Sequence, residues 1–296
     1  MDITTLRAFV IISETGSFSE AAEQLYLTQS AISKRIQTLE LELSTSLFDR
    51  RGRLIRLTEA GEVFLSRAQK ILFEYADGRR AIENLSDTIS GHLQVGTSHH
   101  IGLHRLPPVL REYIKRYPEV KLDLKFMDSE EVCSQIDKGE LEIGVITLPI
   151  TTVENLELQI IWDDPLCIVV GLEHPFFSQS KVTPFELSEH AAILPAPNTF
   201  TRQMFDHHFV KLGINPKEII AVNYLETIKM LVSVGMGWSV LPHSMVAYDS
   251  SNLKTIQISG FNIQRSLGLC WNRHYTLSNA ARALQQLLQD VAVKRR

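Results

Sequence analysis

Three groups of side chains in this 296-residue chain have the types and spacing for chemistry. The first is Gln29, Ser30, Ser33, Lys34 and Gln37, which share one face of a predicted helix; Ile32, Ile36, Leu39 and Leu43 recur on the other at steps of four, three and four. Amides, hydroxyls and an ammonium on the N-terminal half of such a helix can meet base edges in a DNA major groove. The second group is Arg50, Arg51, Arg53 and Arg56, four arginines within seven positions around Gly52. A basic hairpin tip of this kind suits phosphate or minor-groove contact, with Arg50, Arg51 and Arg53 the candidates. The third comprises Thr97-Ser-His-His100, Thr147 and Asn198-Thr-Phe-Thr-Arg202, hydroxyls and donors at predicted strand ends and helix starts. Free amides at such places favour anions.

Other chemistries find little support. His100 and His104 are four apart, and His99, His207 and His208 could be added. Leu103, Pro107 and Pro108 surround the first pair and no paired carboxylate or cysteine motif lies nearby in sequence, so hydrogen bonding by neutral imidazole is expected and no metal. Cys133, Cys167 and Cys270 form no CxxC pair and fall in predicted apolar elements, as buried unreactive thiols do in a reducing compartment. No nucleophile with its base and no cofactor loop appears, so neither an enzyme nor a cofactor is expected. The formal net charge of -4 gives no global attraction to nucleic acid. Residues 1–58 themselves carry seven Lys plus Arg against seven Asp plus Glu, so positive charge must be sorted by face. No run of about eighteen apolar residues and no basic-then-apolar start is present, which predicts a cytoplasmic protein without a membrane partner.

The elements that must position these groups follow from periodicity. Ile3, Leu6, Phe9, Val10 and Ile12 predict a first helix. Ser17-x-x-Glu20 reads as a capping box for a second, whose inner face is Phe18, Ala21, Ala22 and Leu25, and Thr28 caps the third. Leu54-Ile-Arg-Leu57 supplies a strand, so residues 1–58 are expected to form a winged helix-turn-helix. Residues 59–90 predict one long helix capped by Thr58, with a heptad seam of Phe64, Ala68, Ile71, Tyr75, Ile82, Leu85 and Ile89. Such a seam argues for a homodimer, and the pair would read an inverted-repeat operator in double-stranded DNA. Gly78, the vacancy in the seam, is expected at a bend or close approach. Residues 91–296 alternate strands (92–97, 121–126, 143–147, 167–170, 192–194, 219–222, 238–241, 266–271) with helices (103–116, 129–138, 201–212, 224–235, 277–292). That order predicts mainly parallel, helix-covered sheets, with the chain passing between two lobes near 162–166 and 264–267. Glu226 begins one of the helices and is expected near the cleft.

The N-terminal third resembles the LysR-type transcriptional regulators. The matching residues are Leu6-Arg-Ala-Phe9, Gly16-Ser-Phe-Ser19, Ala21-Ala22, Leu27-Thr-Gln-Ser-Ala-Ile-Ser33, Ile36-Gln-x-Leu39-Glu40, Leu47-Phe-x-Arg50 and Leu57-Thr-x-Ala-Gly61. The resemblance implies a multidomain α+β and α/β protein: winged helix-turn-helix, long linker helix, and a two-lobed α/β domain like the periplasmic solute-binding proteins. The lobes are expected at about 91–163 with 266–296, and 164–265. It further implies that Gln29, Ser30 and Ser33 meet base edges, while Thr28, Lys34, Arg50 and Arg53 meet backbone or minor groove. Ser30 stands where the family often has proline, and Lys34 where it often has arginine, whose forked donors lysine lacks. By the same resemblance a small, often anionic effector would be held by Ser98, His100, Thr147, Thr199, Thr201 and Arg202. The protein would act as a homodimer or homotetramer and engage RNA polymerase.

Overall fold

The structure, a computed structural model, describes residues 1–50, 55–86, 88–179, 181–246 and 252–294. Arg51 and Arg53, two of the wing candidates, lie outside the described residues. The chain forms two compact units, one built on Met1–Leu85 and the other on Ser86–Asp137 with Leu141–Arg296.

The first unit opens with helices α1 (Ile3–Thr15), α2 (Phe18–Gln24) and α3 (Gln29–Glu42). Each start is capped by a side-chain oxygen, from Asp2, Ser17 and Thr28, which satisfies an amide the helix cannot pair internally. The box expected at Ser17 is half made: Ser17 Oγ accepts from the Glu20 amide, but the Ser17 amide donates to Thr15 Oγ1. Gly16, at φ 66°, ends α1 in the left-handed conformation that costs glycine nothing. Strands β1 (Phe48–Asp49) and β2 (Arg56–Leu57) pair antiparallel. Helix α4 (Glu59–Glu83) follows, capped by Thr58. The core gathers Leu6, Phe9 and Ile12 of α1, Phe18 and Ala21 of α2, and Ile32, Ile36 and Leu39 of α3, closed by Phe48 and Ala68. Leu43, the last member of the predicted stripe, caps α3 and is exposed. The start of α4 is pinned where Thr58 Oγ1 donates to the Ser46 carbonyl at 2.7 Å and the Thr58 amide to the Leu47 carbonyl at 3.0 Å. Helix α4 stops at Glu83 rather than running to 90, and Ile89 packs into the second unit's core.

The second unit runs β3 (Gly91–Thr97), α5 (His99–His104), α6 (Pro107–Arg116), β4 (Val120–Phe126), α7 (Ser129–Asp137), β5 (Ile143–Thr147) and β6 (Leu156–Gly171). It continues with α8 (Pro184–Ser188), β7 (Ala191–Leu194), α9 (Phe200–Leu212), β8 (Lys217–Ala221), α10 (Leu225–Ser233), β9 (Ser239–Pro242), α11 (His243–Val246), β10 (Leu253–Ile256), β11 (Ile263–Asn272) and α12 (Asn279–Lys294). The helix predicted over 103–116 is two, because Pro107 and Pro108 suit a helix start and cannot continue one.

The sheets are mixed, not mainly parallel. The large sheet has the order β10-β6-β11-β5-β3-β4 with β9 also on β6; only β3 pairs in parallel there, with β4 and β5, and β7 with β8 forms a separate parallel pair. The predicted crossing points lie inside β6 and β11, which run antiparallel with Leu267 opposite Trp162 and Gln264 opposite Pro165. These two strands serve both lobes. Ile161, Trp162, Leu267 and Leu269 enter one core with Leu93 and Val145, whereas Leu166, Ile168 and Ile263 enter another with Phe205 and Trp238.

Candidate functional site

In the first unit, α3 presents Gln29, Ser30, Lys34 and Gln37 to solvent, with Ser33 half-buried beside them. Thr28 is a cap: its Oγ1 accepts from the Ala31 amide at 3.2 Å and lies 3.1 Å from Ser30 Oγ. Arg35 is drawn off this face by an ion pair with Asp2 at 2.8 Å. Arg50 is also engaged, 2.8 Å from Glu40 Oε2 and over the Phe18 ring, while Glu40 Oε1 accepts from the Leu47 and Phe48 amides. The Glu40–Arg50 pair thus ties the end of α3 to β1. Tyr26, in the turn before α3, holds φ 54° and is 95% exposed.

In the second unit, a cavity of about 50 Å³ opens between strand ends and helix starts. Ser98, His100, Thr147, Thr199 and Thr201 all line it, although they come from three separate segments of the chain. Ser98 stands at the start of α5 with no side-chain capping bond, so its hydroxyl is uncommitted to the helix. Thr199 is a working cap, accepting from the Arg202 amide and donating to the Ala196 carbonyl. Arg202 does not line the cavity. Its guanidinium bonds the Pro195 carbonyl, Asp206 and Glu218, which turns it into the surrounding structure.

The cation at the cavity is Arg265, 3% exposed on β11. Its Nε donates to Asp164 at 2.6 Å and one terminal nitrogen reaches Thr201 Oγ1 at 3.4 Å; the other, Nη2, is buried without a hydrogen-bond partner. Arg105 holds the second oxygen of Asp164 at 2.8 Å. Burial pushes the Asp164 carboxyl up, but Arg265 and then Arg105 outweigh it and keep the group below its usual range. The acids on the same wall are already used: Asp128 accepts from Asn223 at 2.6 Å and Glu130 accepts from the Phe200 amide. Burial raises Glu130. His100 is lowered, chiefly by burial, and so is neutral near pH 7.

A family model described as "LysR substrate binding domain" matches residues 86–293, and one described as "Bacterial regulatory helix-turn-helix protein, lysR family" matches residues 3–62. The chain belongs to the LysR family. It is a DNA-binding transcriptional regulator with an effector-binding domain. A probable RuBisCO transcriptional regulator of Trichormus variabilis is 31% identical over 288 residues, covering 95% of this chain and 86% of the relative. The fold is shared with full-length CbnR complexed with its target DNA, at TM-score 0.66 and 21% identity over 98% of this chain and 100% of that one. It is shared also with the effector binding domain of QuiR in complex with shikimate, at TM-score 0.62 and 18% identity over 69% of this chain and 98% of that domain.

Sequence reasoning about this LysR-family chain missed Arg265. Arg265 alternates with Ile263 and Leu267 on the inward side of β11, and a charge at an inward strand position was the available signal.

Proposed function

We propose that this regulator reads its operator with Gln29, Ser30 and Ser33 of α3 at base edges, while Thr28, Lys34, Arg50 and Arg53 serve the DNA backbone or minor groove. The exposed amide and hydroxyl face supports that reading, and the CbnR–DNA complex gives it a precedent of like fold. Residues 1–58, 59–90 and 91–296 then act as DNA-binding, linker and effector segments. Ile71, Tyr75, Ile82 and Leu85 are exposed apolar residues along and just beyond α4, which suits pairing of two copies, and of two such dimers in a tetramer. RNA polymerase is the further partner such a regulator needs, and its place is the cytoplasm; among the described residues no helix is long and apolar enough to cross a membrane. No catalytic role is assigned.

The effector is a small anion held by Arg265 with Ser98, His100, Thr147, Thr199 and Thr201. One observation carries this: the unpartnered, buried Nη2 of Arg265 at the cavity, since a guanidinium donor out of water and without an acceptor is costly. About 50 Å³ holds a few water molecules, so the cavity as it stands suits an ion of sulfate size or a short carboxylate. Shikimate bound to QuiR is a larger carboxylate on the same fold. A thermal-shift screen of the full chain against small oxyanions tests the idea, because ligand at a hundredfold its Kd adds about 2.7 kcal/mol. The stabilisation should vanish in Arg265→Gln and persist in Arg202→Gln. Persistence in Arg265→Gln would overturn the assignment.

A further inference from the structure

The histidine pair at the start of α5 gains in the tertiary structure a partner that its sequence neighbourhood lacks. His100 and His104 share one face of α5, and Glu226, in the first turn of α10, meets both. His104 Nε2 lies 2.9 Å and His100 Nδ1 3.5 Å from Glu226 Oε1, and one ligating atom from each of the three residues lies within 4.8 Å of the others. We propose that His100, His104 and Glu226 form a binding site for a divalent transition-metal ion, zinc being the best fit.

Two observations carry this independently of each other. The first is the convergence of two imidazoles and a carboxylate, the donor set of a three-ligand zinc site, which leaves a fourth position for water or another oxygen. The second is His100 itself: it is 5% exposed, and neither ring nitrogen has a hydrogen-bond partner, since 3.5 Å to Glu226 is too long for a sound bond. A buried imidazole with idle nitrogens is costly, and a metal ion would use the lone pair. Glu226 brings one negative charge to the site itself, and Asp164, held by both Arg265 at 2.6 Å and Arg105 at 2.8 Å, offsets one of those two positive charges. Imidazole and carboxylate together select a zinc-like ion over calcium or magnesium, which prefer oxygen alone. The ion would join α5, which follows β3, to α10, which follows β8, and so hold together two segments more than a hundred residues apart, the span of the 122-residue separation between His104 and Glu226.

The test uses full-length protein stripped with EDTA and titrated with Co²⁺, followed by competition with Zn²⁺. The expected result is one cobalt per chain with the visible bands of a tetrahedral ion, bleached by zinc. His104→Ala and Glu226→Gln should each weaken binding by more than the roughly 10–100-fold that outer-shell changes cost. Both positions are part-exposed, so the metal-free variants should keep the parent's circular dichroism and Tm. Absence of stoichiometric uptake, or uptake unchanged in both variants, would overturn the site. The outcome is separate from the anion reading, which Arg265→Gln tests.

Discussion

At the scale of single residues, function divides between side chains left free and side chains used up by the fold. Around α3, Thr28 caps and shares a hydroxyl contact with Ser30, Arg35 pairs with Asp2 and Arg50 holds Glu40 through one terminal nitrogen, while Gln29, Ser33 and Lys34 are the helix groups whose donors the fold does not use. Replacing Gln29 and Ser33 together by alanine should therefore erase operator preference while sparing salt-sensitive non-specific binding, since each good base contact is worth about 1–3 kcal/mol of discrimination. Gel shifts with operator and scrambled duplexes at two salt concentrations measure this, and an unchanged specificity ratio would reassign the reading face. The same division separates the two arginines near the pocket. Arg202 has its donors committed to Pro195, Asp206 and Glu218, whereas Arg265 keeps one free. Sequence reasoning favours Arg202, at a helix start, over Arg265, and the structure reverses that order through partners, Glu218 and Asp164, that lie outside each arginine's own element.

At the scale of elements, α4 carries two glycines of opposite meaning. A Cβ on Gly61 would sit 2.2 Å from the Leu47 carbonyl oxygen, where the helix start abuts the approach to β1. At Gly78 a Cβ would meet nothing within 4 Å, and the helix continues through it to Glu83. Gly61→Ala should thus destabilise by about 1–3 kcal/mol or more through overpacking. Gly78→Ala should stabilise by about 1 kcal/mol through helix propensity. Urea unfolding of the two variants checks both signs; loss of stability at Gly78 would mean that a second chain approaches there. The caps Ser17, Thr28 and Thr58 of the second, third and fourth helices were legible from sequence because the motif is local, whereas Asp2 before α1 was not read. The front half of β6 and the whole of β10 were not, because their residues alternate weakly and are held by long-range pairing with β11 and β6.

At the scale of the whole molecule, two behaviours follow. The exposed apolar residues Ile82 and Leu85, at 70% and 84%, should drive self-association. Glutamate at both positions should lower the mass seen in analytical ultracentrifugation, and an unchanged mass would place the contact elsewhere. Stability should also fall in mild acid. Burial and then His190 hold His174 down at about 4 from its usual 6.5, and its Nδ1 accepts from the Phe176 amide at 3.2 Å. A histidine lowered on folding contributes stability that is complete above pH 6.5 and is lost as pH falls toward 4, because the unfolded chain takes up the proton first. That loss is about 2 kcal/mol at pH 5. His174→Asn keeps a capping oxygen without the titration, so its urea midpoint should drop less between pH 7 and pH 5 than the parent's. His100 shares the sign and remains in both proteins. Parallel curves would remove His174 as the source.

Sequence alone determined what rests on short-range order. The first three helices, the caps of the second and third, the polar face of α3 and the family itself are written in spacings of three or four residues and in a dense motif over about sixty positions. It also placed Ser98, His100, Thr147, Thr199 and Thr201 at element ends, which is why they converge on one cavity. The tertiary structure alone decided which charges face that cavity and which partners they meet. Arg265 lies 101 residues from Asp164 and His104 lies 122 from Glu226, and no local pattern encodes such a pairing. Periodicity reports which face of an element is buried; the register of β6 against β11 and the placing of α10 against α5 decide what is buried beside it.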